Sequence, residues 1–169
     1  MSKARLAISG LALSAAAFVG ILTREGYTDT AVIPTKGDVP TVGFGTTGGV
    51  RMGDRTTPVK AAQRALADVA KFEGAIKQCV TMPLNQTEYD VYTDLAYNIG
   101  PANFCTNRKT GGPGAVPLRL NAGKYREACD AILLYKFAGG NDCSIPGNRI
   151  CAGVWTDRLR LHAKCLEAQ

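Results

Sequence analysis

One stretch of this chain gathers residue types that could do chemistry. It runs from Arg24-Glu25-Gly26-Tyr27 through Pro34-Thr35-Lys36-Gly37-Asp38-Val39-Pro40 into Thr41-Val42-Gly43-Phe44-Gly45-Thr46-Thr47. Glu25 falls at the end of a helical segment, a setting that can be apolar enough to keep a carboxyl protonated. A hydroxyl, Thr41, follows sixteen residues later, with Asp29 and Asp38 between them. The glycines of the second half let a polymeric ligand approach the backbone. A protonated carboxyl, with a second polar group to hold water or developing charge, is what breaking a glycosidic bond requires. Each residue also has a plainer reading. Thr41 would suit a strand as a β-branched residue, and Asp38 would suit a turn beside Gly37. With 14 acidic residues in the chain, Glu25 stands out by its surroundings and not by its type.

The elements that must position these residues are readable from periodicity. Residues 25–56, rich in Gly, Thr and Pro, predict a small β-hairpin region. Thr57-Pro58 predicts a helix start, with Ala62, Leu66, Val69 and Phe72 on its inner face to about Gln78. Asn85 and Glu88 have capping-box spacing ahead of a helix carrying Val91, Tyr92, Leu95, Ala96 and Ile99, which Gly100-Pro101 ends. A Gly/Pro-rich loop covers 110–117, and a short segment follows to Leu120. The next helix is expected over roughly 123–137, with Ala128, Ile132 and Tyr135, stopped by Gly139-Gly140. Thr156 is read as the cap of a last helix with Leu159, Ala163 and Leu166 inward. The class is α+β: a hairpin lobe with a larger helical lobe, in one catalytic domain over 25–169.

Six cysteines lie beyond residue 78, an even count that points to three disulfides and an oxidising compartment. Zinc would want paired Cys or Cys/His clusters, and His162 is the single histidine, so no metal site is expected. Cys143–Cys151 is the favoured pair because it clips a loop containing Gly, Pro and Asn. Of the fifteen pairings that six cysteines allow, Cys79–Cys105 and Cys129–Cys165 would then complete the set, a choice that spacing leaves open.

The N-terminus reads as a membrane address. Lys3 and Arg5 precede an uncharged run from Leu6 to Thr23 that Arg24 and Glu25 close. Its eighteen residues would reach about 27 Å as a helix, just a bilayer core. The positive flank predicts an N-in, C-out orientation, which sends the cysteines outward. Much of the run is Ala, Gly, Ser and Thr, so insertion is weak enough to be reversed. Residues 1–24 are therefore expected to be a releasable anchor. A cleaved signal peptide, with Ala15-Ala16-Ala17 as the site, and a permanent anchor are the alternatives. The net charge of +6 suits an acidic partner surface, and no Lys/Arg run interleaved with aromatics points to nucleic acid.

Glu25-Gly26 and the P-T-V-G-F-G-T-T run at 40–47 resemble the catalytic region of the phage lysozymes of glycoside hydrolase family 24. Asp94-Leu95-Ala96-Tyr97-Asn98-Ile99-Gly100 resembles that family's F/Y-N-x-G helix end, and Arg158 falls where the family has an Arg-rich C-terminal helix. With its weak anchor, the whole chain resembles the signal-anchor-release endolysins. The resemblance implies a monomeric, cofactor-free lysozyme-like fold with an N-terminal signal-anchor helix. It would be held in the inner membrane by residues 6–23 and then released to the periplasm to cut peptidoglycan. Glu25 would be the general acid, and Thr41, helped by Asp38 or Thr35, would hold the water. Thr35, Phe44, Asn98 and Arg158 would bind substrate. The family's middle catalytic position, an Asp or Cys about nine residues after the Glu, is Pro34 here, and the Glu-to-Thr spacing is one residue longer. That departure leaves a lytic transglycosylase as an alternative, with a non-catalytic cell-wall binding module as the third reading.

Overall fold

The computed structural model describes residues 4–34 and 37–169. Thr35, expected to assist Thr41 and to bind substrate, lies outside them. In chain order the elements are a 3-10 turn at Ile8–Gly10, α1 (Ala15–Glu25), β1 (Thr28–Val32), β2 (Thr41–Gly43), α2 (Pro58–Cys79), α3 (Gln86–Ile99), α4 (Pro101–Cys105), α5 (Ala115–Asn121) and α6 (Tyr125–Asp130). A 3-10 turn at Ala131–Leu134, β3 (Phe137–Ala138), β4 (Asn141–Asp142) and α7 (Ala152–Leu166) complete them. The class is α+β, with two small antiparallel sheets and a mostly helical remainder. Packing divides the chain into two compact units: Leu13–Lys71, and Met1–Ala12 with Phe72–Gln169. The expected boundary at 24/25 marks where the apolar run stops, whereas the units follow burial.

The uncharged N-terminal run does not form one helix. Leu6 exchanges backbone hydrogen bonds with Leu84, at 2.8 and 2.9 Å. Ile8 and Leu11 are buried in the helical unit's core. Removing two such side chains from water contributes about 1.5–3 kcal/mol each. Ser14 then starts a fresh helix by accepting from the Ala17 amide at 3.2 Å. No helix among the described residues is long and apolar enough to cross a membrane. Where an eighteen-residue signal-anchor helix was expected, the run forms a 3-10 turn, a short irregular stretch and the eleven-residue α1.

In the Leu13–Lys71 unit, Thr28 faces Gly43 and Val32 faces Thr41 across β1 and β2, with an irregularity between. Residues 54–56 add backbone bonds on the other edge of β1: Ala31 donates to Asp54 and Thr56 to Asp29, both at 2.9 Å. Ile21, Ala31, Val42, Ala61, Ala65 and Val69 form the buried centre. The inner face of α2 is therefore the Ala61/Ala65/Val69 row. Leu66, expected inward, is 55% exposed. A close approach explains the shift: a Cβ on Gly43 would lie 2.7 Å from the Ala61 Cβ, so only a small residue fits against the hairpin there.

The other unit packs around α3. Tyr89, Val91, Tyr92, Leu95 and Ala96 are buried with Leu84, Phe104, Leu120, Ile132 and Leu161. The predicted capping box forms: Asn85 accepts from the Glu88 amide, and the Glu88 carboxylate accepts from the Asn85 amide. Cys79–Cys105 ties the end of α2 to α4, Cys129–Cys165 ties α6 to α7, and Cys143–Cys151 closes the loop before α7. The helix expected over 123–137 ends as α helix at Asp130. A 3-10 turn and a two-residue hairpin follow, the hairpin reversing at Gly139 and Gly140, both at positive φ. The last helix begins at Ala152, and Thr156 sits inside it, its hydroxyl donating to the Ala152 carbonyl. Its buried side chains are Arg158, Leu161 and Cys165, while Leu159 is exposed.

Candidate active site

Glu25 is the last residue of α1, and Gly26 at φ 71° takes the chain out of the helix toward β1. Its side chain is exposed. Gly45, at φ 81°, occupies the tight turn in which Val42 and Thr46 exchange backbone bonds. A Cβ there would lie 2.9 Å from Glu25 Oε2, so the carboxylate rests directly over bare backbone. No larger residue could sit beneath it without moving it. The G-F-G spacing thus leaves room for the Glu25 side chain as well as making the turn. Sequence reading assigned those glycines to the ligand's approach and missed Gly45 as a neighbour of the carboxylate.

Around this pair, the Tyr27 ring leans on Phe44 with centroids 5.3 Å apart and an interplanar angle of 50°. The Tyr27 hydroxyl donates to the Thr56 carbonyl at 3.1 Å, which fixes the ring. The pair offers an apolar wall of the kind sugar rings stack upon. Thr41 opens β2, half-buried, its hydroxyl donating to the Val39 carbonyl at 3.2 Å. That leaves the oxygen's lone pairs able to accept from water. Asp38 is exposed and accepts from the Val39 amide at 2.8 Å, the bond of a turn residue. Asp29 pairs with Arg55 at 3.3 Å, both exposed.

Asn98 and Arg158 belong to the other unit, where the structure brings them together. Arg158 is buried and donates to the Tyr135 carbonyl at 2.9 Å, to Asp157 at 2.9 Å and to the side-chain oxygen of Asn98. Burial pulls the guanidinium below its ordinary range, while Asp157 and Asp94 oppose the shift. Arg160 extends the network to Asp94 at 2.9 Å and Asp157 at 2.7 Å. Asn98, exposed at the end of α3, is thereby oriented with its amide nitrogen turned away from the guanidinium, which can only donate. Arg158, expected at the substrate, is held beneath Asn98. Asp94, Asp157 and Arg160 escaped sequence reading because a charged helix face normally reads as solvated. In the same unit a pocket of about 480 Å³ is lined by Ile99, Asn107, Arg108, Lys109, Tyr135 and Phe137, among others. Among the described residues, no group of three or more His, Cys, Asp or Glu could hold a metal ion.

The sequence profile of the phage lysozyme family matches residues 23–149. The chain is 34% identical over 161 residues to a SAR-endolysin of Pseudomonas phage phiKMV, covering 95% of this chain and 91% of that one. Its fold is similar to that of a point mutant of P22 lysozyme, with a TM-score of 0.71 at 30% identity over 92% of this chain and 99% of the other. It is also similar to the active form of the P1 phage endolysin Lyz, with a TM-score of 0.75 over 97% and 96% of the chains. At 20% identity that likeness speaks for the fold alone.

Proposed function

The chain belongs to the phage lysozyme family, and from that premise we propose that it is an endolysin. It would hydrolyse the β-1,4 bond between N-acetylmuramic acid and N-acetylglucosamine in peptidoglycan, lysing the host cell. The observation that carries the reading is the Glu25 carboxylate over Gly45, where a Cβ would stand 2.9 Å from Oε2. In this mechanism Glu25 gives its proton to the glycosidic oxygen as the bond to the anomeric carbon breaks. A water accepted by Thr41 attacks that carbon from the opposite face, passing its proton to solvent or to Asp38. Inversion follows, as expected when a water and not a carboxylate takes the second role. Phe44 and Asn98 would contact the glycan, Asn98 through the amide nitrogen that Arg158 turns outward.

The same premise supports residues 6–23 as an inner-membrane anchor that is later released. The phiKMV relative carries the SAR name over nearly the whole chain. The run is apolar enough to insert weakly, and it folds into the protein when it is out of the membrane. The protein would then act in the periplasm as a monomer.

The test is to incubate the purified protein with isolated peptidoglycan sacculi. The proposal expects soluble muropeptides to appear with time. Protein that sediments with sacculi but releases none would be a wall-binding module, and the proposal would be lost. The Pro34 departure keeps one second reading open, transglycosylation by Glu25 alone, which the products themselves distinguish.

A further inference from the structure

One buried carboxylate has no part in the chemistry above. Glu88, in the first turn of α3, is fully buried. Its oxygens accept from Arg5 Nη2 at 2.7 Å, from Arg5 Nε at 3.0 and 3.2 Å, from Gln169 Nε2 at 3.0 Å and from the Asn85 amide at 2.8 Å. The Arg5 guanidinium carbon also stands 3.6 Å from the centroid of the Tyr125 ring, and Nη2 donates to Gln169 Oε1 at 3.0 Å. The walls of this arrangement are fixed without Arg5. The Tyr125 hydroxyl donates to the Pro83 carbonyl at 3.0 Å, and the Asn85 side-chain Nδ2 donates to the Ala168 carbonyl at 3.1 Å.

We infer that Glu88, Tyr125 and Gln169 form a guanidinium-binding seat, filled in cis by Arg5, that holds the N-terminal arm on the folded protein. The selectivity follows from shape. A planar fork can meet two carboxylate oxygens with its edge while its face covers a ring, and a point-like ammonium cannot do both. Bonding to Glu88 raises the Arg5 guanidinium above its ordinary range, with burial pulling the other way. Beside the seat, the Leu6–Leu84 backbone pair and buried Ile8 and Leu11 supply the rest of the arm's hold. A carboxylate buried without its cation is strongly unfavourable, so the seat resists giving the arm up.

One consequence rests on the anchor reading proposed above. While residues 6–23 lie in a bilayer, Arg5 is part of the flank that keeps the N-terminus inside. After release the same side chain becomes the partner that Glu88 lacked. Orientation and capture would then be two uses of one cation, and docking would trap the released form.

The seat is tested by chemical rescue of full-length purified protein. Arg5→Ala should lower the thermal midpoint by about 6 °C or more. Millimolar guanidinium chloride should restore part of that loss, sodium chloride at equal ionic strength should not, and the Arg5→Ala, Glu88→Gln double variant should gain nothing from guanidinium. An unchanged midpoint in Arg5→Ala, or equal rescue by sodium chloride, overturns the inference. Should the alanine variant fail to fold, Arg5→Lys keeps the charge. Faster proteolytic cutting of its arm than in wild type supports the seat, and an equal rate overturns it. In cells, Arg5→Lys should leave a larger membrane-bound share than wild type. Wild type that never fractionates with membranes would sink the anchor reading while leaving the rescue result intact, so the two fail separately.

Discussion

Glu25 and Glu88 both lie at helix ends, Glu25 closing α1 and Glu88 in the first turn of α3, yet their surroundings are opposite. Glu25 is exposed over a glycine turn, whereas Glu88 is buried with Arg5, Gln169 and the Asn85 amide on its oxygens. A carboxyl that must give and regain a proton needs room for substrate and a proton it can lose. Glu88 instead has its oxygens taken up by a guanidinium, a side-chain amide and a backbone N–H, with no room left for a substrate. The lesson is that residue type says little here; what distinguishes the two is whether the backbone facing the carboxylate is bare.

The largest effect that sharpens this contrast should come from Glu25→Gln, which keeps shape and removes the proton. Clearing of cell suspensions should fall by about 10²–10⁴-fold while the thermal midpoint stays in place. Glu88→Gln should do the reverse, lowering the midpoint and sparing the rate per folded molecule. Equal behaviour of the two variants would break the comparison. Next in size are the staples of the helical unit. Replacing Cys129 and Cys165 together by Ser opens a 36-residue separation and should cost about 4 kcal/mol on a chain-entropy argument, against about 2.5 kcal/mol for the 8-residue Cys143–Cys151 separation. Denaturant titration of the two double mutants checks the order. Gly45→Ala is smaller. Its positive φ costs about 1–2 kcal/mol, and the added methyl must displace the Glu25 carboxylate, so activity should drop more than stability. The smallest effect concerns Asp142, which Lys136, Ser144 and the Ser144 amide hold down at about 2, against an ordinary 3.8. Because the folded value is the depressed one, its contribution is present above pH 3.8 and is lost as pH falls through about 2. A carboxyl NMR titration should show that midpoint; one near 3.8 would remove the interaction.

How far the sequence could be read depended on range. The Asn85/Glu88 capping box is a local pattern and it forms. The α+β class and the hairpin after Glu25 followed from Gly/Thr/Pro patterning and the T-V-G-F-G run. The Arg5–Glu88 pair spans 83 residues, and no spacing rule connects them. On α2, Val69 is buried as its spacing implies, whereas Leu66 is exposed and Ala61 takes the inner side by being small enough to meet Gly43. On α7, Leu166 packs against the core as expected, while Leu159 is exposed and Arg158 is buried because it finds three partners there, which a hydropathy pattern cannot register. At the candidate site, Glu25, Thr41 and Phe44 lie together in one unit's sequence stretch, and Asn98 and Arg158 share a bond in the other. Asp38 is occupied as a turn residue.

The measurement that bears most directly on Glu25 as the acid of a hydrolysis is product analysis in isotopically labelled water. Muropeptides released from sacculi in H₂¹⁸O should each carry one heavy oxygen at a new reducing end. Products ending in anhydro sugars without the label would contradict the account, because the attacking oxygen would then have come from the sugar.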